Sequence, residues 1–218
     1  MKKIILIALC VILNIFILAG CSDSGEPFEE KSYTADTQIN EINLDVQDRE
    51  IEVSISRDNR IRIDYFENSK EAYDISVSDE NILTMTSKSN KDWTDYIGGK
   101  PSAENRKIFL QIPDALLDNI TLSTTNENIL LPALTVTWSI SVSANGGDIA
   151  FESLNADTID LAVKNGDISG TIAGSYDDFS VHSEIKKGES NLPDSKDGGE
   201  KLLNVSANNG DIDIEFSN

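Results

Sequence analysis

From residue 39 onward, apolar side chains fall on every second position in short runs. Ile42, Leu44 and Val46 alternate with Asn43 and Asp45. Ile51, Val53 and Ile55 repeat the pattern, then Ile61, Ile63 and Tyr65, then Tyr73, Ile75 and Val77. A run from Ile82 through Met85 follows, and another over 107–112 stops at Pro113. Further runs carry Ile120 and Leu122, Ile140 and Val142, Ile159, Leu161 and Val163, Phe179 and Val181, and Leu203 and Val205. Period two with one apolar side predicts strands that each bury one face. No long window after the N-terminal segment has helical spacing. The chain reads as all-β.

The runs are joined by a recurring turn. Lys164-Asn165-Gly166-Asp167-Ile168 has counterparts at Asn145-Gly146-Gly147-Asp148-Ile149 and Asn208-Asn209-Gly210-Asp211-Ile212. Asn126-Glu127-Asn128-Ile129 is a looser copy, and Lys187-Gly188-Glu189 a degraded one. The closing isoleucines fall at 129, 149, 168 and 212. The first steps are 20 and 19 residues. The last is 44, or two units of 22 with the degraded copy between them. Two short strands per unit of about 20 residues predict a solenoid, a single-domain parallel β-helix stacked at about 4.8 Å per coil. Asn-Gly between alternating runs is also the strongest hairpin signal. The alternative is therefore an antiparallel β-sandwich. Near-identical turn chemistry and matched spacing favour the coil.

In that coil Gly147, Gly166 and Gly210 supply the positive φ of a sharp corner, with Asn165 and Asn209 tolerating left-handed φ beside them. Asp148, Asp167 and Asp211 hydrogen-bond the turn backbone through their carboxylates. The same row could hold Ca²⁺, an oxygen-seeking cation. Its spacing is not that of the nine-residue calcium-roll repeat, so turn stabilisation is the simpler role. Residues 87–106 interrupt the pattern as an insertion loop, with Trp93 and Tyr96 among charged residues. These aromatics would either fold back over the core or stack on a partner.

The N-terminus reads as an address. Lys2 and Lys3 precede an apolar stretch, Ile4 to Leu18, too short for a confident membrane span. It ends in Leu18-Ala19-Gly20-Cys21, which resembles the lipobox of bacterial lipoproteins. That resemblance implies a signal peptide over 1–20, a lipid-modified Cys21 and an extracytoplasmic protein anchored to the cell membrane, since more than one acyl chain gives stable anchoring. Residues 21–37, acidic and polar, read as a flexible tether. The body is 38–218.

Charge and chemistry then narrow the function. Formal net charge is −20. Such a surface repels phosphate backbones and excludes nucleic acid as a partner. The two cysteines, Cys10 and Cys21, both lie near the N-terminus, so the body has no disulfide framework. The single histidine, His182, sits beside an inward Val181 and should face solvent. No nucleophile elbow, zinc-ligand spacing or phosphate loop occurs. The chain therefore suggests no catalytic residue, metal site or cofactor.

The alternating runs, the Asn-Gly-Asp-Ile turns and the pair of runs 108–113 and 120–124 resemble a bacterial domain family of unknown function labelled "putative adhesin". The resemblance covers 39–216, best after residue 107. It implies a parallel β-helix, an envelope setting often with a membrane tether, and surface interaction. It names no ligand. The function expected is a lipid-anchored, non-enzymatic binding or scaffold module, whose partner is a cell-wall polymer or another envelope protein. The alternatives are an envelope-stress sensor and a carbohydrate-active enzyme on the same scaffold.

The inward assignment of the turn isoleucines is testable. Ile168→Asp should place an unpaired charge in a dry core and abolish cooperative unfolding in a urea titration, whereas Ile168→Val should cost only about 1 kcal/mol. An Ile168→Asp protein that melts like the parent would refute it.

Overall fold

A computed structural model describes residues 26–91, 100–113 and 117–217. The signal segment 1–20 and Cys21 lie outside the described residues, as do Trp93 and Tyr96 in the insertion. Within them the chain is all-β. The strands are β1 (Glu29–Thr34), β2 (Glu41–Asp45), β3 (Glu50–Ile55), β4 (Arg62–Glu67), β5 (Glu71–Val77), β6 (Ile82–Ser89), β7 (Lys107–Ile112), β8 (Asn119–Thr124) and β9 (Ile129–Thr135). They continue with β10 (Ser139–Gly146), β11 (Ile149–Asn155), β12 (Thr158–Asn165), β13 (Ile168–Ala173), β14 (Phe179–Ile185), β15 (Ser195–Lys196), β16 (Lys201–Asn209) and β17 (Ile212–Ser217). Two single 3₁₀ turns, Glu104–Arg106 and Tyr176–Asp178, are the described helical pieces.

Two sheets form. One runs β1-β4-β7-β3-β9-β11-β13-β17, the other β15-β14-β16-β12-β10-β8-β2-β6-β5. Both are mixed. The ladders β1/β4, β4/β7, β5/β6 and β14/β15 are antiparallel, and the others are parallel. The recurring Asn-Gly turns do not close hairpins. The strands on either side of each turn belong to different sheets, and each pairs in parallel with its counterpart in the next repeat. Ile140 lies between Ile120 and Ile159, and Ile149 between Ile129 and Ile168.

Period two follows from this geometry. Each strand turns alternate side chains toward the interior, and those of both sheets meet in one core. Ile129, Ile149 and Ile168 are fully buried and Ile212 nearly so. Together with Ile51 and Ile108 they make an aliphatic column along the stack. The opposite column runs Ile42, Ile120, Ile140, Ile159 and Leu203. Fully burying each such side chain contributes about 1.5–3 kcal/mol. Aromatics are rare because stacked β-branched and Leu side chains fill a core this narrow.

The spatial order departs from the sequence at both ends. Ile168 sits directly against Ile212, 44 residues on, with nothing between them. The degraded copy at Lys187-Gly188-Glu189 is therefore not an intermediate unit. It stacks outside the last repeat, where Glu189 C=O accepts from Ile212 N–H (2.9 Å) and Ser190 bridges Ile212. β16 lies between β12 and β14. The β2–β3 repeat is likewise enclosed, with β6 and β7 on one side and β8 and β9 on the other. Sequence spacing cannot reveal such interposition, because the pairing register is the same in either order.

Two further expectations change. Part of the segment 21–37 read as a tether is strand β1, paired antiparallel with β4. Its alternation is masked because it is an edge strand with charged Glu29, Glu30 and Lys31, which blunt edge pairing. The insertion begins after Ser89, since 87–89 extend β6, and its far end closes with the Glu104–Arg106 turn. At the same end, Arg49 is buried, with its guanidinium on the Glu71 carboxylate (2.9 Å) and the Tyr73 hydroxyl. Burial pushes the Tyr73 phenol above its usual range, against the lowering influence of Arg49. The group fastens β5 to the β2–β3 turn.

The interposed order predicts a pattern of amide exchange. β16 is laddered on both sides, whereas β14 has only the two-residue β15 beyond it. Amides of 201–209 should exchange more slowly than those of 179–185 in native-state hydrogen exchange. Equal or reversed protection would contradict the pairing.

Candidate functional site

The turn column was the first candidate, and its geometry accounts for its residues. Gly147, Gly166 and Gly210 have φ of 138°, 151° and 144°. A Cβ at Gly166 would lie 2.1 Å from the Gly147 carbonyl oxygen, and one at Gly210 1.9 Å from that of Gly166. Glycine is required both for its φ and for the approach of the next turn. Each Asp then reaches one repeat along. Asp211 N–H donates to Asp167 Oδ1 (2.8 Å), Asp167 N–H to Asp148 Oδ1 (2.9 Å), and Asp148 N–H to Asn128 Oδ1 (2.9 Å). Glu189 N–H donates to Asp211 Oδ1 (2.8 Å). One oxygen of each Asp148, Asp167 and Asp211 carboxylate thus satisfies a turn N–H that the ladder leaves over. Among the described residues no group of three or more His, Cys, Asp or Glu side chains is arranged to hold a metal ion.

Asn165 and Asn209 differ from expectation. Neither has positive φ; they end β12 and β16. Their amides form a side-chain ladder instead: Asn209 Nδ2 donates to Asn165 Oδ1 (2.7 Å), and Asn165 Nδ2 to the Asn145 carbonyl (3.2 Å). In the β2–β3 turn, where the motif is missing, Asp48 takes the positive φ (53°).

The insertion leaves from this same edge, because it joins β6 to β7 where the other repeats carry a turn. Its described roots are tied down. Lys91 pairs with Glu71 (2.8 Å), and Lys100 (3.3 Å) and Arg106 both meet Glu127 of the neighbouring turn.

His182 is exposed, as expected, but it does not stand alone. Across the outer face of the nine-stranded sheet, Thr121, Ser141, Asp160, Asn204 and His182 lie in register on β8, β10, β12, β16 and β14. The next row is Ser123, Ser143, Ala162, Ser206 and Glu184. These side chains are short and partly interlocked: Asn204 Nδ2 donates to Asp160 Oδ1 (2.6 Å), and nearby Ser139 Oγ to Asn119 Oδ1 (2.7 Å). The two rows enclose a shallow trough of about 240 Å³ over β10, β12, β16 and β14. Of its lining side chains only Asp160 and Glu184 carry full charge, and neither Lys nor Arg is among them.

Two exposed apolar residues escaped notice in the sequence. Trp138, at the corner where β10 begins, is 58% exposed, and Leu202 on β16 is 38% exposed. Alternation identifies Leu202 as outward, but only the pairing register aligns it with Thr158 and Ser180, one row from the trough. Trp138 lies in a corner, where alternation says nothing about direction.

A family model described as Toastrack DUF4097 matches residues 39–217. Among curated proteins none matches the chain. Several solved structures are similar. A "putative cell adhesion protein" from Clostridium sporogenes is 13% identical over 88% of this chain and 100% of its own, with a TM-score of 0.54. A "putative adhesin" from Bacteroides fragilis is 13% identical over 88% of this chain and 98% of its own, TM-score 0.35. Another from Parabacteroides merdae is 17% identical over 86% and 80%, TM-score 0.39. At 13% identity the likeness to the Clostridium sporogenes structure speaks to the fold alone.

The glycine column generates a graded prediction. Gly166→Ala should destabilise the body by about 2 kcal/mol or more in urea unfolding, because it combines strained φ with a backbone collision. Gly198→Ala, also at positive φ (109°) but facing open space, should cost less, about 1 kcal/mol. Equal losses would mean that the turns do not stack closely.

Proposed function

The chain belongs to the Toastrack DUF4097 family, and from that premise we propose that it is a non-enzymatic, adhesin-like binding module displayed on the bacterial cell envelope. Its body is a parallel β-helix: parallel ladders at matched register and turns stacked glycine on carbonyl support that description. Signal peptide 1–20 directs export, and a lipid on Cys21 holds the body at the membrane. The partner is a cell-wall polymer or another envelope protein. The similar Clostridium sporogenes structure called a "putative cell adhesion protein" is consistent with a surface role.

The observation that carries this reading is the outer face of the nine-stranded sheet. It is polar, its rows are joined in places by side-chain hydrogen bonds, and it offers both donors and acceptors. Stacking fixes the spacing of each row, so contact requires little reordering of the protein. The turn column is a weaker candidate, since its carboxylates are engaged in the stack.

The test uses the intact protein in its own cells. A photo-cross-linking residue in place of Ser141 should capture an envelope component, and the same residue in place of Asp213, on the other sheet, should not. Cys21→Ser should lose palmitate labelling, leave the membrane fraction and lose the cross-link. Capture from position 213 alone would move the contact to the other face, and persistent palmitate labelling would reject the anchor.

A further inference from the structure

The chemistry around the trough points to a class of ligand. This inference rests on the nine-stranded face being the contact surface. We infer that the trough binds a linear neutral glycan whose chain runs along the stack, across the strands.

Three observations carry it. The first is shape. The trough crosses four neighbouring strands, β10, β12, β16 and β14. Neighbouring strands lie about 4.8 Å apart, so it is about 14 Å long, room for a few sugar units. The second is the pattern of groups. A pyranose has a rim of hydroxyls and apolar C–H faces. Ser141, Asp160, Asn204 and His182 offer donors and acceptors in one row. Leu202, exposed and two residues before Asn204, stands one row away on the same face, and Trp138 is exposed at the corner three residues before Ser141. An exposed Trp provides a flat platform for a sugar face at small entropic cost. Ala162, in register between Ser143 and Ser206, leaves space where every neighbour is polar.

The third is charge. The protein carries a formal −20 and the trough two carboxylates with no Lys or Arg, so phosphorylated or uronic polymers are repelled. A cationic peptide is the competing ligand. It would be drawn to the acidic surface as a whole, without needing a trough or an apolar margin.

The test titrates the intact lipidated protein, in neutral phosphatidylcholine vesicles, with neutral gluco- and chito-hexasaccharides and with octalysine, by calorimetry at low and high salt. A hexasaccharide should bind with little salt dependence. Ala162→Tyr, which fills the trough, and Asn204→Ala, an outward change that leaves the core intact, should each weaken it at least tenfold. Trp138→Ala should do the same, and Asp213→Ala on the opposite sheet should leave it unchanged. Saccharide binding indifferent to all three trough and margin variants overturns the site. Salt-sensitive octalysine binding with no saccharide bound overturns the ligand class. No binding of either probe, with cross-linking from position 141 intact, also overturns the class while leaving the face as the contact surface. Loss of that cross-link instead would reject the underlying reading.

Discussion

The structure depends on keeping strand spacing through a corner. Strands in a ladder lie about 4.8 Å apart whatever their side chains, but a turn tends to bulge. Here successive turns stack as closely as the strands do, with the carbonyl of one repeat occupying the place a Cβ would take in the next. Only glycine allows this, and only with φ in a region L side chains rarely adopt. The neighbouring Asp and Asn complete the corner by handing one hydrogen bond each along the stack. The two isoleucine columns can be continuous because the corner preserves their spacing.

That constraint also explains what could be learned from residues alone. A motif repeated to satisfy one local geometry leaves a mark at every copy, so strand positions, the inward isoleucines and the roles of Gly166 and Asp167 were legible. Edge strand β1 was not, because its contacts are few and its charges serve to prevent pairing. The enclosed positions of β2–β3 and β16 were not, because any repeat of this kind fits beside any other. The trough was legible only in part. Alternation marks Asp160, Asn204 and His182 as outward, but their alignment into a row comes from pairing between residues up to 44 apart.

Division of labour follows. The interior and the turns carry stability, and their polar groups are spent on one another. The outward positions are free of packing demands and can vary in chemistry without disturbing the stack. A scaffold of this kind presents a ruled surface, in which each substitution changes one point on a fixed grid.

The enclosed position of β16 has a bearing on how the protein is made. A chain grows from its N-terminus, so β14 is complete before β16 exists. Its eventual neighbour arrives later and must enter on its inner side. Until β16 has been synthesised, β14 either pairs with β15 alone or rests against β12 and is displaced. Assembly at this end is therefore not the simple accretion of one layer on the previous one. It is a closure, in which β16 takes a place flanked on both sides by strands that precede it in the chain.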